Sequence, residues 1–144
     1  MLDDDMKWAS VSLRLFGDRL PLDDVGTRLD LVPYRVGRKG EHLHGNPRYA
    51  QYESHLWLWS VTSMHKVPLE NQLALTMDVL EPRSDRLRAL LRETGARAEL
   101  FIGFSSGNGQ GGASLSAELL ERLAKLGLPL ELDLYPPDVD ESDE

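Results

Sequence analysis

Residues 98–135 read AELFIGF, SSGNGQGGASLS, AELLERLAKLG and LPLELDLY in succession. Apolar residues alternate in the first and last of these segments, which is the period of a β-strand with one buried face. Leucines recur at helical spacing in the third segment, which has Ser116 before it as an N-cap and Gly127 after it as a stop. This stretch therefore predicts a strand, a glycine-rich loop, a helix and a final strand. The core face of the final strand is expected to consist of Leu128, Leu130, Leu132 and Leu134.

The residues before this unit carry similar signals. Residues 9–15 alternate like a half-buried strand, and a short helix is expected near residues 21–29. Residues 31–37 look extended, and Pro33 indicates an edge position because it has no amide donor. Residues 55–63 (HLWLWSVTS) are apolar on both faces, which is typical of a central strand.

Residues 69–94 carry the longest helical stripe. Its phase continues across Pro82, so we expect a kink or a brief break before that proline and an end at Gly95. The complete order is β-α-β-β-α-β-α-β. This order predicts one α+β domain over residues 7–136, with a single, mostly antiparallel sheet, a ferredoxin-like core and helices on one face.

The net charge of −8 is concentrated at the two ends of the chain. Residues 1–5 hold three acids and residues 137–144 hold five, with no base in either stretch. The other 16 acids are matched by 16 lysines and arginines. We therefore expect an acidic tail at 1–6, a disordered acidic tail at 137–144, and a neutral body that does not bind nucleic acid.

The composition also limits the location of the protein. There is no cysteine, which excludes disulfides and thiolate chemistry. No apolar run approaches the roughly 20 residues of a membrane span. The acidic start MLDDDMK is unlike a secretory signal. A cytoplasmic protein with no membrane partner is expected.

The sheet face away from the helices is predicted to be unusually aromatic. The alternation places Trp8, Phe16, Phe101 and Tyr135 on it. A large exposed apolar patch usually marks an interaction site. We expect this face to be covered by a second copy of the chain, by the polar loop at residues 38–54, or by another protein.

The glycine-rich loop contains the pattern G-x-G-x-x-G at Gly107, Gly109 and Gly112. In dinucleotide-binding folds these glycines lead directly into a helix whose N-terminus holds the pyrophosphate. Here residues 113–116 intervene and the loop has no lysine or arginine, so a nucleotide is disfavoured. A flexible turn and recognition of another anion are the alternatives. The candidate binding residues are Arg38, Lys39, Trp59, Ser105, Ser106, Gly107, Asn108, Gly109 and Gly112.

Catalytic and metal-binding patterns are weak. His42 and His44 are an alternate pair, but they lie in a predicted loop, and zinc needs three or four ligands. No G-x-S-x-G nucleophile pattern occurs. We predict no catalytic residues, no metal, no cofactor and no enzymatic activity.

Six sequence segments occur in the order of a known family. They are residues 12–25 (SLRLFGDRLPLDDV), 38–40 (RKG), 59–63 (WSVTS), 99–107 (ELFIGFSSG), 114–124 (SLSAELLERLA) and 130–135 (LELDLY). From about Trp8 to Tyr135 the chain resembles the bacterial family called domain of unknown function 4279. The resemblance implies a small bacterial α+β domain. It implies no activity, so no site residue is carried over. The loop around 42–52 departs from the family pattern by being longer and more polar.

Two function classes are consistent with these features. The first is a non-enzymatic protein-interaction domain, of which an immunity or antitoxin-like protein is the most specific version. The alternative is a small-molecule sensor that uses the loop at residues 105–116 together with the loop at 38–54.

Overall fold

The computed structural model describes residues 7–107 and 112–135. The strands are β1 (Trp8–Phe16), β2 (Arg35–Gly37), β3 (Leu56–Trp59), β4 (Arg97–Ser105) and β5 (Leu130–Leu134). The α-helices are α1 (Val25–Leu29), α2 (Leu69–Leu80), α3 (Ser84–Thr94) and α4 (Ala117–Leu126). Short 3-10 turns lie at Leu43–Gly45 and Glu81–Arg83. None of the helices in the described ranges has the length and apolarity that a bilayer crossing needs.

The strands form one five-stranded sheet in the order β2-β3-β1-β4-β5. β1 pairs antiparallel with β3 and β4, and β2 pairs antiparallel with β3. β5 pairs parallel with β4, because α4 carries the chain back before β5 begins. The sheet is therefore mixed, which corrects the prediction of a mostly antiparallel sheet. β3, β1 and β4 are interior strands, and β2 and β5 are the edges.

The core lies on one face of the sheet. The four α-helices contribute their buried side chains to the same cluster as one set of strand residues, so they cover that face. The other face, called the open face below, carries the even-numbered side chains of β1. The strand residues of the core cluster are Ala9, Val11, Leu13, Leu15, Trp57, Trp59, Ala98, Leu100 and Ile102.

The local signals for helix ends are confirmed. Pro82 lies in the 3-10 turn between α2 and α3, and Gly95 ends α3 in the left-handed conformation with a φ of 72°. Ser116 Oγ accepts a hydrogen bond from the N–H of Leu119 over 3.1 Å at the start of α4. Gly127 ends α4 with a φ of 79°. Each of these signals depends on the chemistry of one residue, which the sequence states directly.

The region around β2 differs from the expectation. β2 covers only Arg35–Gly37, although residues 31–37 look extended in the sequence. The 38–54 loop holds a 3-10 turn and an isolated bridge between His42 and Gln51. The ring of Tyr52 from this loop lies so close to Gly37 that a Cβ there would be 2.6 Å from it. The loop therefore packs against the edge strand.

The leucines of β5 are not buried as predicted. Leu132 and Leu134 are 64% and 69% exposed, although they lie on the helix-facing side beside Ile102 and Phe104. The reason is the position of α4, which packs against α2. Arg122 of α4 binds acidic side chains near the end of α2 and fixes that position. α4 consequently leaves the outer part of the edge strand uncovered.

Candidate strand-binding site at the edge of the sheet

The outer edge of β5 faces no other strand in the described part of the chain. On its inner side, Tyr135 donates its N–H to the carbonyl of Phe104 over 2.9 Å. In a parallel ladder the amides of alternate residues face the neighbouring strand, so the odd-numbered residues of β5 face β4. The N–H and C=O groups of Leu130, Leu132 and Leu134 therefore point outward, where they can pair with an added strand.

An apolar groove of about 410 Å³ lies beside this edge on the helix-facing side. It is bounded by β4, β5, the start of α2 and the segment before α4. No charged side chain of the described residues lines it. Its main apolar lining residues are Leu69, Ile102, Phe104, Leu115, Leu132 and Leu134.

The other side of β5 is acidic. Glu131 and Asp133 lie on the open face, beside Phe101 and Gly103 of β4. Asp133 accepts a hydrogen bond from the phenol of Tyr135, and this bond, with smaller contributions from burial and from the carboxylate charge, raises the pKa of Tyr135 above its usual value. The edge strand thus presents leucines on one side and carboxylates on the other.

The aromatic residues predicted for the open face lie there, and two of them are covered by arginines. The guanidinium of Arg14 is 4.5 Å from the ring centre of Phe101, and that of Arg97 is 4.8 Å from the ring centre of Phe16. A cation over an aromatic face is a favourable contact that also shields the ring from water. These two rings therefore have partners within the chain.

The other two aromatic residues pack on each other. The ring centres of Trp8 and Tyr135 are 4.8 Å apart, and the ring centres of Trp8 and His65 are 5.9 Å apart. The pair lies over Gly103, where a Cβ would be 3.2 Å from Trp8 and 3.3 Å from Tyr135. Glycine at this position thus allows the two rings to lie directly against the backbone of β4.

The glycine-rich loop is described only in part. Ser105 is buried, and its Oγ accepts a hydrogen bond from the N–H of Gly107 over 3.2 Å, which is a local turn contact. Ser106 and Gly112 line the apolar groove beside β5. Thus two of the candidate residues adjoin the groove at the edge of β5. The candidates that lie outside the described residues, like the two acidic tails, are Asn108 and Gly109.

The other predicted binding residues have different roles. Arg38 forms an ion pair with Asp23 at 2.7 Å, and Lys39 forms one with Asp18 at 2.9 Å. Trp59 is a core residue that is only 8% exposed. Both tryptophans of β3 belong to the core cluster, together with side chains of the helices.

The structure does not bring the two predicted ligand loops together. The N–H of Lys39 donates to the ring of His55, and the carbonyl of His55 accepts from Gly17, next to the end of β1. Ser105 pairs with Trp8 at the other end of β1. β1 has nine residues, so the loops are separated by about 27 Å along the strand. The described residues of the two loops therefore do not line one common cleft.

The two loop histidines do not form a metal site. The Nδ1 atom of His42 lies 2.7 Å from the carbonyl oxygen of Tyr49, and the ring of His44 packs edge-on against the Tyr49 ring. Within residues 7–107 and 112–135, no group of three or more His, Asp or Glu side chains could hold a metal ion.

A second cavity, of about 460 Å³, lies at the end of the sheet where β1 begins. It is lined by side chains from the segment before α2 and by residues 112–114 of the glycine-rich segment. Its polar and aromatic lining includes Trp8, His65, Lys66, Asn71 and Ser114.

The sequence predicts an interaction surface on the open face, and the structure adds the edge of β5 as a second candidate surface. The available signal was topological, because a strand that follows a helical crossover at the end of the domain has no later strand to pair with. Alternating leucines predict a buried face, but Leu132 and Leu134 lie on a strand whose outer side is uncovered.

The fold and this edge define a small α+β domain with one open sheet and an uncovered, amphipathic edge strand. Residues 6–137 match the family described as Domain of unknown function (DUF4279). The chain belongs to this family. No curated protein and no solved structure shows a significant match to the chain.

Proposed function

We propose that this chain is a non-enzymatic protein-interaction domain that binds an extended segment of a partner along the outer edge of β5. The observation that carries the proposal is the exposure of Leu132 and Leu134 beside an edge whose amides point outward. A strand that adds to such an edge gains backbone hydrogen bonds and buries alternate side chains. The apolar groove beside β5 provides the surface for those side chains.

The energetic reason is the cost of leaving two leucines in water. Full burial of a leucine side chain contributes about 1.5–3 kcal/mol. Roughly two thirds of each side chain is exposed, so covering both contributes about 2–4 kcal/mol before any backbone hydrogen bond is counted. An isolated exposed leucine needs no explanation, but two on one free edge beside a groove favour a binding surface.

The test compares two identical substitutions at different places. Leu134→Glu puts a charge at the groove, and Leu75→Glu puts the same charge on the exposed side of α2 as a matched control. Cross-linking in native cells, followed by affinity capture and mass spectrometry, is expected to recover a partner with the wild type and Leu75→Glu but not with Leu134→Glu. Equal recovery with both variants would place the interface elsewhere and defeat the proposal.

The finer form of the proposal is an immunity or antitoxin-like role in the cytoplasm of a bacterium. The strand order of β1 to β4 supports a ferredoxin-like core, to which β5 adds a binding edge. Co-expression with each product of the neighbouring genes tests this role. Rescue of growth from a toxic neighbour by the wild type, but not by Leu134→Glu, is the expected result.

A second copy of the chain is a less suitable partner on the open face. The stacked arginines already cover the rings of Phe16 and Phe101. We therefore expect a monomer in sedimentation velocity at micromolar concentration. A stable dimer that Arg14→Ala strengthens would favour pairing through this face instead.

Small-molecule binding is the second candidate, and the cavity near Trp8 and His65 favours it. Residues 112–114 of the predicted ligand loop line this cavity, although the 38–54 loop does not. A thermal-shift screen against phosphorylated metabolites and small acids tests this function. A hit that His65→Ala abolishes supports a ligand site there, and no shift with any compound counts against it.

A further inference from the structure

We infer that the segment bound at β5 alternates apolar residues with lysine or arginine, an inference that rests on the strand-binding function proposed above. An added strand has two sides, which must match the two sides of β5. Its apolar side chains lie beside Leu132 and Leu134 at the groove. Its cationic side chains lie beside Glu131 and Asp133 on the open face.

The two carboxylates on this edge lack cationic partners within the described ranges. An ion pair on the open face joins Arg14 and Glu99, with 3.6 Å between Nε and Oε2. The described ion pairs of arginine side chains go to other carboxylates, such as Glu99, Asp78 and Glu81. Opposite charges directly across two paired strands stabilise the pairing, so a basic strand complements this side.

The same carboxylates disfavour pairing of β5 with a second copy of itself. In an antiparallel dimer centred on Leu132, leucines oppose leucines, but Glu131 of one copy opposes Asp133 of the other. A shift by two positions places Glu131 opposite Glu131, or Asp133 opposite Asp133. Like charges directly opposite each other destabilise a strand pair. The partner is therefore a different polypeptide.

The sequence extends this acidic character beyond the strand. Residues 130–144 hold seven acids and no base. These acids comprise the two on β5 and the five of residues 137–144. Because these acids share one sign, they add a long-range attraction for a basic segment at low ionic strength.

The experiment uses a phage-display library of random nine-residue peptides, selected against the immobilised full chain. Enriched peptides are synthesised, and their affinities are measured by fluorescence polarisation. Three variants are compared with the wild type: Glu131→Lys with Asp133→Lys, Glu131→Gln with Asp133→Asn, and Leu134→Glu. The neutral pair of substitutions keeps the comparison valid if the charge-reversed variant folds poorly, which circular dichroism detects.

The expected peptides have lysine or arginine at every second position and apolar residues between them. Their affinity is expected to fall about tenfold or more with the charge-reversed variant and by a smaller factor with the neutral variant. Peptides that need Leu134 but show no basic bias, and bind the charge variants equally well, overturn this inference and leave strand binding intact. If no enriched peptide depends on Leu134, the strand-binding function itself fails, and this inference fails with it.

Discussion

A proline scan of β5 separates the two hydrogen-bonding sides of the strand. Leu132→Pro removes an N–H that points away from β4, so the ladder with β4 keeps all of its bonds. Asp133→Pro removes an N–H that the ladder directs to the carbonyl of Ile102. Proline is tolerated in a sheet where its missing donor faces solvent, and it disrupts a strand where the donor is paired.

The expected costs differ because of this geometry. Leu132 is 64% exposed, so losing its side chain removes about a third of the 1.5–3 kcal/mol of full burial, which is about 0.5–1 kcal/mol. Asp133→Pro loses a hydrogen bond worth about 0.5–1.5 kcal/mol and leaves the buried Ile102 carbonyl unpaired at a further cost of about 1–3 kcal/mol. The second substitution is therefore expected to destabilise the fold by about 2 kcal/mol more than the first.

Urea unfolding followed by tryptophan fluorescence measures this difference, since Trp57 and Trp59 are both in the core. Leu132→Ala and Asp133→Ala serve as controls, because they remove the side chains and keep both N–H groups. Equal destabilisation by the two prolines, or a larger effect of Leu132→Pro, would refute the assignment of outward amides. It would also remove the premise that β5 has a free edge.

Three other substitutions test the packing of the fold. Arg122→Gln is expected to lower Tm at pH 7, because hydrogen bonds from Arg122 lower the pKa of Glu81 in the folded protein. A carboxyl group whose pKa is lowered by folding stabilises the fold above its unfolded pKa of 4.5. The Tm difference between the variant and the wild type, measured by differential scanning calorimetry, should therefore shrink as the pH falls through and below that value. Gly37→Ala is expected to displace the ring of Tyr52, because a Cβ would lie 2.6 Å from it; faster proteolysis within the 38–54 loop, with core stability nearly unchanged, is the readout. Trp57→Phe is expected to change the free energy of unfolding by less than about 1 kcal/mol. The loss of ring volume destabilises the core, but the substitution also removes a buried indole N–H that has no hydrogen-bond partner among the described residues. A loss of more than about 3 kcal/mol would show that this N–H is hydrogen-bonded.

The parts of the fold that the sequence predicts well depend on local chemistry. Ser116 begins α4 and Gly127 ends it, because capping and left-handed backbone conformations depend on single residue types. The exposure of Leu132 depends instead on where α4 docks, and that position is set by contacts with α2 far away in the sequence. Periodicity gives the side of a strand on which a residue lies, but not whether another element covers that side.

The predicted arrangement of the two ligand loops differs from the structure for a related reason. The loops at 38–54 and 105–116 are both polar and glycine-rich, so they looked like two halves of one cleft. Antiparallel pairing of β1 with its neighbours places them at opposite ends of the same strand. Composition identified both loops, but only the strand connectivity determines which end of the sheet each one occupies.

The two edges of the sheet are protected in different ways, and this difference argues for a role of β5. At the β2 edge, the strand has three residues, Pro33 lies just before it, and Tyr52 packs against Gly37. Short strands, prolines and covering loops are the usual means of preventing edge-to-edge pairing. Pro129 likewise precedes β5, but this strand has five residues, and Leu132 and Leu134 on it are exposed. Its acids Glu131 and Asp133 provide protection of a different kind. Charge of one sign repels another copy of the chain while it admits a strand of opposite charge. Under the strand-binding proposal, we therefore expect the acids of β5 to select a partner, whereas the features of β2 disfavour any added strand.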